Sequence, residues 1–544
     1  MSVSELNRRD FIKSLLAGIS VTALDWSVFP TASKASTNKD EYDAIIIGSG
    51  LGGLSCAAAF ARQGFKPLVV EQHSKAGGYA TTFKRKDFIF DVSLHSTGVG
   101  ERNGLHNLIP GFPEITTVEF VPHPDLYRAI YPDYDIRVPQ KNLPGYISML
   151  IGYFPAEKSG IEGIFADMQG MQNDIQKLYQ AQGRIDMSRF VQDFPVLARS
   201  IGKTWGQLVD ERITDAKLKA IISSLWVYFG LPPSKLSPFY YAMPTMGYLQ
   251  GGGYYPIGKS QQISEALKTF IEERGGKVRL STRVKEILIN DHITNGIRTE
   301  NGEEFKSKVV ISNASAPVTF KNMMNENDYL KEYLNQLDTY SVSLSSFQVF
   351  LGLKKDLVGE LGIKDTEIFY NTGYDLEAAY QSMQQAGVEH GGYAITLYDN
   401  LYKGYSPAGK NIMNLLTLQG YEHWLPYETD YFKGKKDAYR VEKKRMADIL
   451  IDQAEKTLLP GLRSAIDVIE IGTPLTNVRY TGNYRGAVYG FDQTLNNSGQ
   501  NRLGHKTPIK NLYLAGAWSR PGHGYGAVIP SGLECFGEIM QEWK

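Results

Sequence analysis

At 544 residues the chain is long enough for two or three domains, and 42% hydrophobic with 21% charged residues excludes disordered, collagenous and multi-span membrane classes. Lys plus Arg (58) equals Asp plus Glu (58), and without a basic block nucleic acid is not expected as a partner. Cys56 and Cys535, the two cysteines, fall in no metal-ligand or redox spacing, so no metal is expected and both read as small packing residues.

In chain order, Asn7-Arg8-Arg9-Asp10-Phe11-Ile12-Lys13 comes first, followed by a mildly apolar run from Ser14 to Leu24 that is too short to span a membrane. The paired arginines, the Phe two places on and the Lys resemble a twin-arginine export signal, with Asn7 where that signal has Ser or Thr. Ser33 and Ala35 offer small residues before a cut after Ala35. The resemblance implies a removable segment 1–35 and delivery to the periplasm or a membrane surface. It also implies a cofactor, because that route carries proteins already folded. An ordinary N-terminal helix is the other reading.

Tyr42 to Ile47 is a short β-branched run suited to a buried parallel strand, and it leads directly into Gly48-Ser49-Gly50-Leu51-Gly52-Gly53. In that G-x-G-x-x-G, Gly48 permits the tight turn, Gly50 lets the backbone approach a pyrophosphate, and Gly53 lets the next helix pack on the strand. Leu54 to Gln63 reads as that helix, stopped at Gly64, with Pro67 to Val70 as the second strand. Glu71, 23 residues after Gly48, stands where an acid bonds the adenosine ribose hydroxyls and repels a 2′-phosphate. FAD or NAD fits; NADP does not.

Beyond Glu71-Gln72, the pair Gly77-Gly78 and Tyr79 offer further backbone donors to phosphate or flavin. From here the chain resembles the FAD-dependent superfamily of phytoene desaturases, carotenoid cis–trans isomerases and retinol saturases. In that group an acid followed by Gly-Gly belongs to the FAD site, and Phe90 to Gly98, which contains His95, is similar to the stretch that follows it. A helix from Ser260 to Arg274 and strands at Val278–Leu280, Val284–Ile289 and Val309–Ala314 are similar to the superfamily's second FAD segment. The resemblance implies that the Val284 backbone contacts adenine. Gly258-Lys259 departs from the usual Gly-Gly there. The stretch Asn511 to Gly532 resembles the C-terminal signature of bacterial phytoene desaturases, and implies that Gly516, Ala517, Gly524 and Val528 line the flavin. A helix from about Pro530 would aim its positive end at the N1/O2 edge. Trp518, Arg520, His523 and Tyr525 depart from the commonest pattern.

The expected fold is α/β: a discontinuous Rossmann-like FAD-binding domain (41–100, 247–318 and 497–544) with an inserted α+β substrate domain (101–246 and 319–496). The 33 Tyr suit a large apolar pocket with polar rims. Ile147 to Phe154 and Leu225 to Leu231 are candidates for a lipid tunnel or a bilayer contact, with ordinary core as the alternative. The expected chemistry is saturation, desaturation or cis–trans isomerisation at carbon–carbon double bonds of an apolar polyene or isoprenoid lipid. A quinone or cytochrome would serve as electron partner outside the cytoplasm. His95 and His523 are the candidate catalytic acids; a histidine that merely bonds backbone is the alternative for each. An amine or amino-acid oxidase, and an inert flavin-containing lipid-binding protein, are the competing functions.

Overall fold

Burial on both faces makes Glu41–Ile47 a central strand. Pro67–Val70 flanks it in parallel on one side (Ile45 opposite Leu68) and Glu304–Ser312 on the other (Ile46 opposite Ile311). The computed structural model describes residues 29, 41–99, 104–115, 118–181, 185–324 and 328–543; the Arg8-Arg9 motif and the proposed cut at Ala35 lie outside the described residues. Lys277–Arg279 extends the sheet beside Pro67–Val70. Val284–Asn290 and Ile293–Thr299 form an antiparallel meander into Glu304–Ser312, whose end also pairs with Leu512–Leu514, giving seven strands.

Alternation along the central strand builds two cores. Ala44 and Ile46 pack under the helices Leu51–Arg62 and Tyr525–Glu542, whereas Ile45 and Ile47 pack on the opposite side with Phe320, Leu337 and Trp518. Cys56 and Cys535 are both buried in the first of these cores as free thiols, which is the packing role their spacing indicates. Two stretches assigned from sequence to the inserted half belong here. Leu105, Ile109 and Phe112 join the first core, and Phe320, Leu330 and Leu337 the second. Short apolar helices carry no sign of which sheet they will cover, so the boundaries at 100 and 318 fall inside packed structure.

The second sheet also has seven strands, in the order Ile466–Gly472, Ser345–Leu353, Asn411–Gln419, Tyr393–Thr396, Glu367–Tyr370, Asp125–Ile130 and Asp135–Pro139. Its strands thus come from both inserted pieces. It is antiparallel except where Glu367–Tyr370 runs beside Asp125–Ile130. Phe347, Val349 and Leu415 pack with the helix Asp437–Thr457 on one face, and the intervening Gln348 and Leu416 turn to a cavity on the other. Of the two apolar clusters, Trp226 to Phe229 reaches that cavity, while Ile147, Met149 and Ile151 pack against the neighbouring helical core. Among the described residues no helix is long and apolar enough to cross a membrane.

The two helices over the first sheet approach so closely that a Cβ on Gly532 would lie 2.1 Å from the Gly52 carbonyl oxygen and 2.2 Å from Ser55 Oγ. Ser55 Oγ also donates to the Ile529 carbonyl at 2.9 Å. Gly532→Val is therefore expected to destabilise the protein by about 1–3 kcal/mol or more through overpacking, read as a lowered thermal midpoint; an unchanged midpoint would show that the helices can separate.

Candidate active site

A continuous cavity of about 1190 Å³ runs from the ends of the first sheet's parallel strands to the open face of the second sheet. Its nucleotide end is made by the glycine turn. Gly48 adopts φ +93°, a left-handed conformation suited to glycine, and its N–H donates to the Val70 carbonyl at 2.9 Å. A Cβ on Gly53 would sit 2.3 Å from the Gly48 oxygen and 3.1 Å from Ile46, which is the helix-on-strand role read from sequence. Gly50, Leu51 and Gly52 line the cavity.

Glu71 ends the second strand with its carboxylate buried against the turn. One oxygen accepts from Ser49 N–H and Ser49 Oγ, both at 2.8 Å, and the other from His73 N–H at 2.8 Å. Three of about four carboxylate acceptor positions are thus used within the chain, leaving one toward the cavity. Glu71 therefore fastens the glycine turn as well as facing the nucleotide end. Gln72, Gly77, Gly78, Tyr79 and Val284 also line this end, and Gly77 N–H donates to the Ser49 carbonyl at 2.9 Å. Lys259, at the departure from Gly-Gly, does not line the cavity; its ammonium lies over the Tyr405 ring at 4.1 Å.

From the C-terminal stretch, Gly516, Ala517, Gly524 and Val528 all reach the cavity wall. The helix there begins at Tyr525, not near Pro530, so the sequence-based start is corrected by one and a half turns. Pro usually marks a first turn; here it is tolerated inside the helix, and the N-terminal turn Gly526 to Val528 faces the cavity with its positive end.

Two residues that sequence reading did not single out hold this arrangement. Asn313, at the end of a parallel strand, touches the cavity and packs between Gly50, Gly52 and Gly516; its place at a strand's carboxyl end is the signal that could have found it. Arg502 is buried and donates to the carbonyls of Ser519 (3.0 Å), Phe491 (3.1 Å) and Ala517 (2.5 Å), fixing the loop after Leu512–Leu514; a lone Arg in a loop gives no such signal.

The structure separates the two candidate histidines. Both line the cavity. His523 is packed among Tyr489, Phe229 and Tyr240, and burial together with the Arg502 guanidinium pushes its ring down to about 3. It is neutral at physiological pH, which removes it as an imidazolium donor. For His95, burial opposes the charged form, but the Glu367 carboxylate outweighs it and holds the ring above the ordinary histidine range.

The family model for flavin-containing amine oxidoreductases matches residues 51–535. The chain belongs to that family. It is 27% identical over 514 residues to prolycopene isomerase 1, chloroplastic, of an Oncidium hybrid cultivar, covering 91% of this chain and 83% of the relative. It is 25% identical over 520 residues to the all-trans-retinol 13,14-reductase of Danio rerio, covering 89% and 83%. Among solved structures, an oxidoreductase from Methanosarcina mazei aligns with TM-score 0.59 at 17% identity (92% and 100% covered). Putrescine oxidase bound to putrescine aligns with 0.61 at 12% (93% and 100%). The Rossmann-like fold with its second domain is that of these flavoproteins, and FAD is the cofactor. The residues fit it: a turn in which Gly50, Gly52 and Gly53 leave no room for a Cβ, a carboxylate with one acceptor position free, a helix N-terminus at the far end, and a cavity that joins them.

Glu71→Gln is expected to weaken FAD retention by about 10- to 100-fold, since hydrogen bonds to a charged group are worth about 1.5–3 kcal/mol; flavin fluorescence after desalting measures it. His523→Asn with FAD retained is expected to keep the parent pH–rate profile from about pH 5 to about pH 9, because the ring it removes does not titrate there; loss of a limb would reinstate it as an acid.

Proposed function

We propose that the protein uses FAD to saturate, desaturate or isomerise carbon–carbon double bonds of an apolar polyene- or isoprenoid-like lipid. The observation that carries this reading is the cavity's continuation past the flavin loop, between Phe369, Ala394, Leu416 and Leu418 of the second sheet and Trp226 and Phe229 opposite. Its volume of about 1190 Å³ exceeds the roughly 300–1,000 Å³ of a pocket for one drug-sized ligand, leaving space for a long apolar molecule beside the dinucleotide. When bound, FAD supplies hydride exchange; the chain itself aligns an apolar carbon, excludes water and places His95 beside it. The names of the relatives, prolycopene isomerase and all-trans-retinol 13,14-reductase, support this substrate class.

An amine or amino-acid oxidase would need an acidic anchor for its ammonium group. Glu367 is the acid in the sheet's cavity wall, and it already accepts from Thr396 at 2.8 Å and lies 3.5 Å from His95. Mass spectrometry of apolar material co-purifying with the yellow protein is expected to reveal a polyene or isoprenoid. Such lipids, not primary amines, are expected to change the flavin spectrum or be converted by the reduced enzyme. Flavin reduction by amines alone would overturn the proposal, and a flavin silent to both would favour a lipid-binding protein.

The reading extends to location and partners. The Arg8-Arg9 motif supports twin-arginine export to the periplasm or a membrane surface, where a quinone or cytochrome would exchange electrons. Leu425, Phe432 and Tyr484 are exposed at the cavity's rim, with Lys433 and Lys435 beside them, which suits peripheral contact with an anionic bilayer. Leu425→Glu/Phe432→Glu is expected to lower sedimentation with phosphatidylglycerol vesicles by about 10-fold or more, as burying apolar side chains drives such binding; equal sedimentation would remove the rim from that role.

A further inference from the structure

We infer that Thr396 and Glu367 are a positioning pair for His95, which fixes one proton on Nδ1 and leaves Nε2 to deliver the other to a substrate carbon. Only the identity of the receiving carbon rests on the function proposed above.

The turn that carries His95 is clamped from below. Asp91, fully buried at the end of Phe88–Asp91, accepts from Ser260 N–H at 2.9 Å and Ser260 Oγ at 2.8 Å, while the Leu94 carbonyl accepts from Tyr398 Oη at 3.0 Å. From above, the ring meets the second sheet. Glu367 and Thr396 are cross-strand partners, and Thr396 Oγ1 donates its hydrogen to Glu367 Oε2 at 2.8 Å. What Thr396 presents to His95 Nδ1, 2.5 Å away, is therefore a lone pair, so Nδ1 is the donor and the tautomer is set. Glu367 Oε2 is itself 3.5 Å from Nδ1, close enough to stabilise an imidazolium directly.

Nε2 carries no hydrogen bond among the described residues, and the ring lies in the cavity wall stacked at 6.5 Å on Tyr228. The charged and titratable groups facing the ring are Glu367, Asp91, His123 and Tyr228. His123 does not compete for the proton. It bonds Thr366 Oγ1 at 2.8 Å, and burial pushes it down to about 4. A neutral and a protonatable histidine thus stand side by side, distinguished by which of them has the carboxylate.

In the proton step the Nε2–H bond breaks with its electron pair remaining on the ring, and a C–H bond forms from the substrate's electron pair. The neutral ring keeps Nδ1–H donated to Thr396. In a redox-neutral isomerisation the same proton returns to Nε2; in a net reduction FAD, when bound and reduced, would supply the accompanying hydride, and solvent would reprotonate the ring after the product has left.

The test uses the FAD-loaded full chain labelled with ¹⁵N-histidine, whose nine histidines give a tractable spectrum, with His95→Gln to assign the signal. Glu367→Gln is expected to lower the His95 titration midpoint by about 1 to 3 pH units. Because the acid works while protonated, the alkaline limb of the pH–rate profile should move down with it. Thr396→Val should lose the Nδ1–H tautomer, and Thr396→Ser should restore it. An unmoved His95 midpoint in Glu367→Gln, or an unchanged tautomer in Thr396→Val, overturns the inference whatever the substrate proves to be. A moved midpoint in an enzyme inert to polyenes would leave the pair standing and refute the proposed substrate class instead.

Discussion

A seam without room for a Cβ holds the cofactor end together. Gly52 faces Gly516 so closely that a methyl group on it would lie 2.7 Å from the Gly516 Cα, and Asn313 fills the remaining space, 2.8 Å from where that methyl would be. Three segments distant in sequence, the first glycine turn, the end of Glu304–Ser312 and the loop after Leu512–Leu514, are thereby locked at one point. The same region fixes the helix Tyr525–Glu542, where Ser531 Oγ accepts from Gly516 N–H at 2.9 Å and Ser55 Oγ donates to the Ile529 carbonyl at 2.9 Å.

The second sheet serves a different purpose. One face is sealed by the helix Asp437–Thr457; the other is left open to the cavity, so an apolar surface of strand side chains becomes a wall for a ligand instead of a core. Besides Ser346, Gln348 and Thr417, that wall carries His95 and Glu367, which meet through Thr396. In apolar surroundings the proton of such a group is governed by its few neighbours, because water is not there to screen them.

What could be read from sequence follows the range of the interactions. Gly48, Gly53 and Glu71 were legible because Gly48 N–H closes on Val70, Gly53 meets the Gly48 carbonyl and Glu71 bonds Ser49, all within a strand–turn–helix–strand unit of some thirty residues. The start of the last helix was misread because Pro530 imitates a first-turn signal while the chain accommodates it in the interior. His95 and His523 looked equivalent in sequence. What separates them is a carboxylate from a strand 272 residues later in one case and, in the other, a guanidinium in a ring-lined pocket. Thr396 and Glu367 were invisible for the same reason: their partnership is a register in a sheet assembled from two separate insertions.

The seam also has a temporal consequence. Its first half lies in the turn after Glu41–Ile47 and its second half in the strand, loop and helix that begin at Leu512, so during synthesis the dinucleotide cradle lacks one wall until Leu512–Leu514 and Tyr525–Glu542 have been made. Capture of the coenzyme thus waits on a segment made long after the glycine turn has left the ribosome. A polypeptide broken off before Leu512 would carry the glycine turn intact yet lack Gly516, the residue against which Gly52 closes the seam.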